Sequence, residues 1–229
     1  ERSKIPWPML ALILMVPIPS IGVLAGLAID NSVLGVSVWI AGKAWLLALP
    51  AVWLALVDRK PLVCSLPRRG LVVGALSGMA VATIIVGAYA LVGTLWIDPA
   101  KLIGVLEPVG LTNKMVYLGA AAYWILFNSV LEEYVYRWFV FTQAKTLWGA
   151  RWAAVVSALA FVIHHGVVLA IYFDWRVTLL CCIGICLGGL FWSALYHKYQ
   201  NIWAPYISHA VVDIAVFAIG WLLLFGWTW

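Results

Sequence analysis

The sequence predicts an all-α fold, a polytopic bundle of about seven or eight transmembrane helices forming a single membrane domain over residues 1–229. Three observations carry that expectation. Mean hydropathy is +1.04 and only 10% of the residues are charged. Most charges fall in short gaps between long apolar stretches, each near the roughly 20 residues that one crossing requires. Trp7, Trp53, Trp96, Trp148, Trp152, Trp175 and Trp203 stand near the expected span ends, as an interfacial aromatic belt would.

In chain order, spans are expected at 7–29, 33–57, 71–96, 116–140, 152–173, 177–196 and 202–227. The first holds Pro17 and Pro19, which fit a kinked helix better than a signal segment. The chain begins at Glu1 rather than Met, which reads as processing or trimming. The second span is apolar except for Lys43, a charge with no evident role, and the third carries no charge. The stretch 97–115, with Pro99, Pro108, Asp98, Glu107 and Lys114, reads as a loop along the interface. The sixth span contains Cys181, Cys182 and Cys186, which with Cys64 make neither a disulfide framework nor a zinc-ligand spacing.

Alternate gaps are enriched in basic residues: Arg2 and Lys4, then Arg59, Lys60, Arg68 and Arg69, then Lys145 and Arg151, then Lys198. The other gaps hold Lys101, Lys114 and Arg176. That bias places the N-terminus in the cytoplasm and the C-terminus outside. The pI of 9.1 is therefore read as helix orientation and contact with anionic membrane lipids, not as nucleic-acid binding.

Against this background, Glu132-Glu133-Tyr134-Val135-Tyr136-Arg137 places three ionisable side chains in six residues of an apolar helix. A charge at bilayer depth costs at least a few kcal/mol, so such a cluster is a functional-site hypothesis by default. Glu133 and Arg137 are four apart and can pair on one helix face. Glu132 is turned about 100° away, leaving one carboxyl unpaired and suited to acid–base work. The bland alternative is a charge cluster where a helix leaves the bilayer. A second segment, Phe161-Val162-Ile163-His164-His165, holds two histidines deep in an apolar span. His165 shares the face of Phe161 and His164 is turned away, although a lone buried histidine is more often a packed core residue. In a third, His209 and Asp213 are four apart, with Pro205 expected to disturb the ladder at the helix start. A polar pair that only ties two helices together is the plain reading there.

The order EExxxR, FxxxH and HxxxD on successive apolar helices resembles the CAAX protease and bacteriocin-processing (CPBP, Abi) family of intramembrane glutamic proteases. The lead-in Asn201-Ile202-Trp203-Ala204-Pro205-Tyr206-Ile207-Ser208-His209 and the glycines at 184, 188 and 189 extend the likeness. It covers roughly residues 115–218, a catalytic core preceded by generic spans over 1–100. The resemblance implies an integral protein of a bacterial or archaeal cell membrane, without metal or other cofactor. Its substrate would be a peptide or protein with a membrane-embedded or lipidated C-terminus. It also implies that Glu132 and His165 activate water and that His209 and residue 213 stabilise the oxyanion, with Glu133, Arg137 and Phe161 in support. Many relatives carry Asn where Asp213 stands; an ionised carboxylate would repel an oxyanion, so Asp213 must be protonated or must orient His209.

Two other readings compete. A metal could be held by Glu132, His165 and His209 in a variant of the same peptidase, although no HExxH is present. A proton-coupled transporter or channel could use the Glu, His and Asp groups as a relay, although no internal repeat is visible. One geometric difficulty attends the peptidase reading: on straight helices His165 falls nearer the outer end of its span, and His209 nearer the cytoplasmic end.

Overall fold

The computed structural model describes residues 6–28, 33–59 and 69–226, and every regular element among them is helical. Arg2, Lys4, Lys60, Arg68 and Cys64, and the outer ends of the first and last expected spans, lie outside the described residues. Helix α1 (Trp7–Met15) ends two residues before Pro17 and α2 (Ile18–Ala28) begins one residue after it, so the first span is broken where proline removes the backbone donor. Helix α3 (Val33–Leu56) packs against α2. Helix α4 (Leu71–Ala88) continues through a π-helical stretch, Tyr89–Gly93, into α5 (Thr94–Trp96).

The expected interfacial loop contains a short helix instead, α6 (Pro99–Leu106). Asp98 accepts a hydrogen bond from the Ala100 amide and proline occupies the first helical position, the combination that starts helices. Helix α7 (Lys114–Tyr123) runs through a π-helical stretch (Trp124–Asn128), α8 (Ser129–Glu132) and a second π-helical stretch (Glu133–Val140) into α9 (Phe141–Tyr172). Helices α10 (Trp175–Tyr199) and α11 (Trp203–Phe225) follow.

Among the described residues, six helices are long and apolar enough to cross a membrane, fewer than the seven or eight expected. The difference lies in the fourth, Lys114–Tyr172, which is 59 residues long. At 1.5 Å per residue a straight helix of that length would measure nearly 90 Å, against a hydrocarbon core of about 30 Å. Gly149, at φ 77° and ψ 170°, breaks it, and α9 folds back on the Glu133–Val140 stretch. The gap expected over 141–151 thus shrinks to one non-helical residue. The fold back is fixed by hydrogen bonds, including Ser157 Oγ donating to the Tyr136 carbonyl at 2.8 Å.

Small residues set the closest helix approach, as is usual where lipid and side chains are equally apolar. A Cβ at Gly74 would collide with the Ala204 carbonyl, and one at Gly78 would lie 2.8 Å from the Ser208 carbonyl, so α4 lies directly on α11. Aromatic positions divide. Trp7, Trp96, Trp148, Trp152 and Trp175 are exposed, whereas Trp53 is buried against Trp7 and Phe139 and belongs to the core, not to a belt. Cys181, Cys182 and Cys186 are free and half-buried.

The expected disturbance at Pro205 is absent. Pro205 is the third residue of α11, where amides have no helical partner to lose. The Asn201 side chain serves that end instead, accepting from the Trp203 and Ala204 amides at 3.0 and 3.2 Å. At the head of α10, Asp174 accepts from the Arg176 and Val177 amides. Those bonds, that to Val177 foremost, hold its exposed carboxyl below the usual carboxylate range.

Candidate active site

Three helical arms meet at Glu132: its own, α9 and α11. Its Oε1 lies 3.4 Å from His164 Nε2 and 4.0 Å from His165 Nε2, and its Oε2 lies 3.6 Å from His209 Nε2. The Gly149 turn removes the depth conflict expected between these groups. Glu132 is 17 residues before Gly149 and His165 is 16 after it, so the two arms return to one level at roughly 25 Å from the bend. His209 reaches that level from α11.

Each imidazole is held from behind. His165 Nδ1 donates to the Phe161 carbonyl at 2.8 Å, so in the neutral ring Nε2 is the lone-pair nitrogen and faces Glu132. His164 Nδ1 and the Tyr136 hydroxyl share a 2.7 Å hydrogen bond, and the two rings stack at an interplanar angle of 4°. His209 Nδ1 donates to Glu133 Oε1 at 2.8 Å while its ring stacks on Trp192.

Two sequence expectations are corrected here. His164 is not turned away: it closes on Glu132 from beside His165, the rings 3.9 Å apart, because adjacent positions 100° apart can flank one carboxylate lying between them. The orienting partner of His209 is Glu133, not Asp213. Asp213 Oδ1 sits 3.7 Å from His209 Nε2, on the ring's other side, and its Oδ2 accepts from the Ser129 hydroxyl at 2.6 Å.

The expected pair of Glu133 and Arg137 is present, with Nε 3.3 Å from Oε2 and both side chains wholly buried. Among the described residues the guanidinium makes no well-aligned hydrogen bond. It lies instead 4.5 Å from the Phe161 ring and 5.2 Å from the Trp192 ring, within the range where aromatic faces attract a cation. Phe161 also meets the rings of His165 and His209, so it spaces two imidazoles and the arginine at once. Gly189 on α10 makes room: a Cβ there would sit 3.1 Å from Ala158 and 3.7 Å from an Arg137 nitrogen.

Sequence reasoning did not assign Tyr136, Ser129, Trp192 or Lys43. Tyr136 and Ser129 lie within one or two turns of Glu132, and Lys43 was conspicuous as a charge in an apolar span. Its ammonium donates to Asn128 Oδ1 at 2.6 Å, on the arm that carries Glu132.

The arrangement offers a carboxylate and imidazole nitrogens converging on a small volume, open enough that the side chains of Glu132 and His165 remain 14% and 27% exposed. Gaps of 3.4–4.0 Å between groups of this kind suit a bridging water. The ligand atoms of Glu132, His164 and His165 all lie within 4.8 Å of one another, so the same three could also hold a metal ion. No curated protein and no solved structure matches the chain. Residues 114–215, which carry every group of this cluster from Ser129 to Asp213, match the family model described as Type II CAAX prenyl endopeptidase Rce1-like.

Proposed function

We propose that the protein hydrolyses a peptide bond near a membrane-embedded or lipidated C-terminus by a glutamate-activated water. The observation that supports this most is the single carboxylate of Glu132 ringed by three imidazoles within 4.0 Å. A water held between Glu132 and His165 Nε2 loses one proton to Glu132 as its oxygen attacks the scissile carbonyl carbon. A C–O bond forms and the carbonyl oxygen becomes an oxyanion. His209, fixed through Nδ1 by Glu133, presents Nε2 to that charge, with Asp213 beside it. On collapse the C–N bond breaks and the proton held on Glu132 passes to the leaving amine.

The test is cleavage of an internally quenched, prenylated peptide by purified protein in detergent. Glu132→Gln and His165→Ala are expected to lose roughly 10²–10⁴-fold in kcat/KM while remaining extractable and folded. Cleavage at the wild-type rate by Glu132→Gln would overturn the mechanism.

A metal-dependent variant has one observation in its favour, the convergence of Glu132, His164 and His165. It uses His164 where sequence reasoning placed His209. Metal analysis beside activity separates the two: stoichiometric metal lost and regained with cleavage, in a protein where His164→Ala abolishes both, would favour the variant.

A further inference from the structure

Two adjacent histidines flank Glu132, and the nitrogens on their far sides meet partners of different kinds. His165 Nδ1 lies 2.8 Å from the Phe161 carbonyl, which can only accept. In the neutral ring its proton is therefore on Nδ1, and Nε2 offers a lone pair. His164 Nδ1 lies 2.7 Å from the Tyr136 hydroxyl, a group that can donate or accept.

Three observations choose the direction of that bond. Tyr136 is 2% exposed, and among the described residues its hydroxyl meets no other hydrogen-bond partner. If Nδ1 donated to it, the phenol's own proton would be buried and unpaired, which is costly. His164 Nε2 stands 3.4 Å from Glu132 Oε1. A bare nitrogen there would set its lone pair against those of a carboxylate, whereas an N–H is attracted. The 2.7 Å separation also suits a hydroxyl donor, whose bonds run about 0.2 Å shorter than those from N–H. All three put the His164 proton on Nε2. Tyr136 follows Glu132 by four residues, so one arm of the hairpin addresses both nitrogens of this ring.

We propose that Tyr136 is a positioning residue that locks His164 in the tautomer opposite to that of His165. His164 then steers Glu132 by donating to it, and of the two neighbours only His165 offers water a lone pair. This rests on the endopeptidase reading above. One water brings two protons, one for Glu132 and one for His165 Nε2, and its lone pairs are left to face the scissile carbonyl. A third acceptor at His164 Nε2 would compete for those protons and turn the water. The same tautomer withholds His164 from a metal ion, which binds the bare nitrogen of an imidazole.

Histidine 15N spectra of the full chain in liposomes, recorded by magic-angle-spinning NMR as purified and after chelation, read the tautomers directly. His164 should carry its proton on Nε2 and His165 on Nδ1, assigned by the signals lost in His164→Gln and His165→Gln. Tyr136→Phe keeps the ring and removes only the hydroxyl. It should populate the Nδ1-protonated form of His164 and leave His165 unchanged. On a prenylated quenched peptide it should lower kcat about tenfold, with KM within about twofold of wild type. In a His164→Gln background the amide donates without a choice of tautomer, and the same Tyr136 substitution should cost less than about twofold. A tenfold cost in both backgrounds would make Tyr136 merely structural and overturn the proposal. So would a wild-type His164 protonated on Nδ1 in either preparation, or a Tyr136→Phe spectrum identical to wild type. The assigned tautomers, shifted by Tyr136→Phe in a protein whose wild type cuts no prenylated peptide, would leave the lock standing and remove the endopeptidase reading.

Discussion

Arg137 is wholly buried, met by the Glu133 carboxylate along one edge and by the faces of Phe161 and Trp192 elsewhere. Removing one partner of such a pair leaves an uncompensated charge, at about 3–5 kcal/mol. Arg137→Ala and Glu133→Ala should therefore lower the melting temperature in detergent markedly, whereas Glu132→Gln should cost little. Replacing Glu133 and Arg137 together by apolar residues should recover only part of the loss, because His209 Nδ1 would still lack its acceptor. Equal destabilisation by Glu132→Gln and Glu133→Ala would refute this division of labour. Asp213 supplies a second residue-level test. Asn in its place keeps a hydrogen-bond donor for the oxyanion, so Asp213→Asn should stay within about tenfold of wild-type kcat, while Asp213→Ala should lose roughly 10²–10³-fold. A dead Asp213→Asn would show that the carboxylate itself matters. Pairs spaced by four were readable from the sequence, Glu133 with Arg137 and His209 beside Asp213. The His209 to Glu133 contact was not, because it joins two helices 76 positions apart.

Among the elements, the arm from Lys114 to Tyr172 depends most on one residue. Gly149 holds φ 77° and ψ 170°, a region that only glycine occupies freely. A Cβ there would meet nothing within 4 Å, so any cost of Gly149→Ala comes from the backbone alone. The expected destabilisation is about 1–3 kcal/mol, seen in thermal melts, and activity should fall with it because the bend sets where Glu132 meets His164 and His165. A melting temperature unchanged from wild type would show that the turn tolerates a side chain. The helices themselves were legible from apolar length, and the break at Pro17 from proline chemistry. The π-helical stretches flanking Ser129–Glu132 were not; they widen the helix where the polar groups sit, and no residue pattern announces them. Nor was α6, whose Asp-Pro start was present in the sequence but lay within a stretch read as loop.

At the scale of the whole molecule, the N-terminal helices do more than thicken the bundle. Ala11, Leu12, Met15, Leu46, Leu49 and Trp53 share one buried core with Val135, Tyr136, Phe139, Phe161, Trp192 and Val212, so α1 and α3 seal the arm that carries Glu132. Sequence patterning gave these helices no role, since contacts between apolar surfaces leave no distinctive spacing. Outward, Val33, Leu56, Leu91 and Leu95 are each more than 70% exposed, as lipid-facing side chains would be. The hairpin at Gly149 has a final consequence in a bilayer of changing thickness. Because the carboxylate on one arm and the two imidazoles on the other are counted from a common bend, tilt or mismatch carries them up or down together. Lipid composition can then shift the depth of the whole cluster while leaving Glu132, His164 and His165 in register with each other.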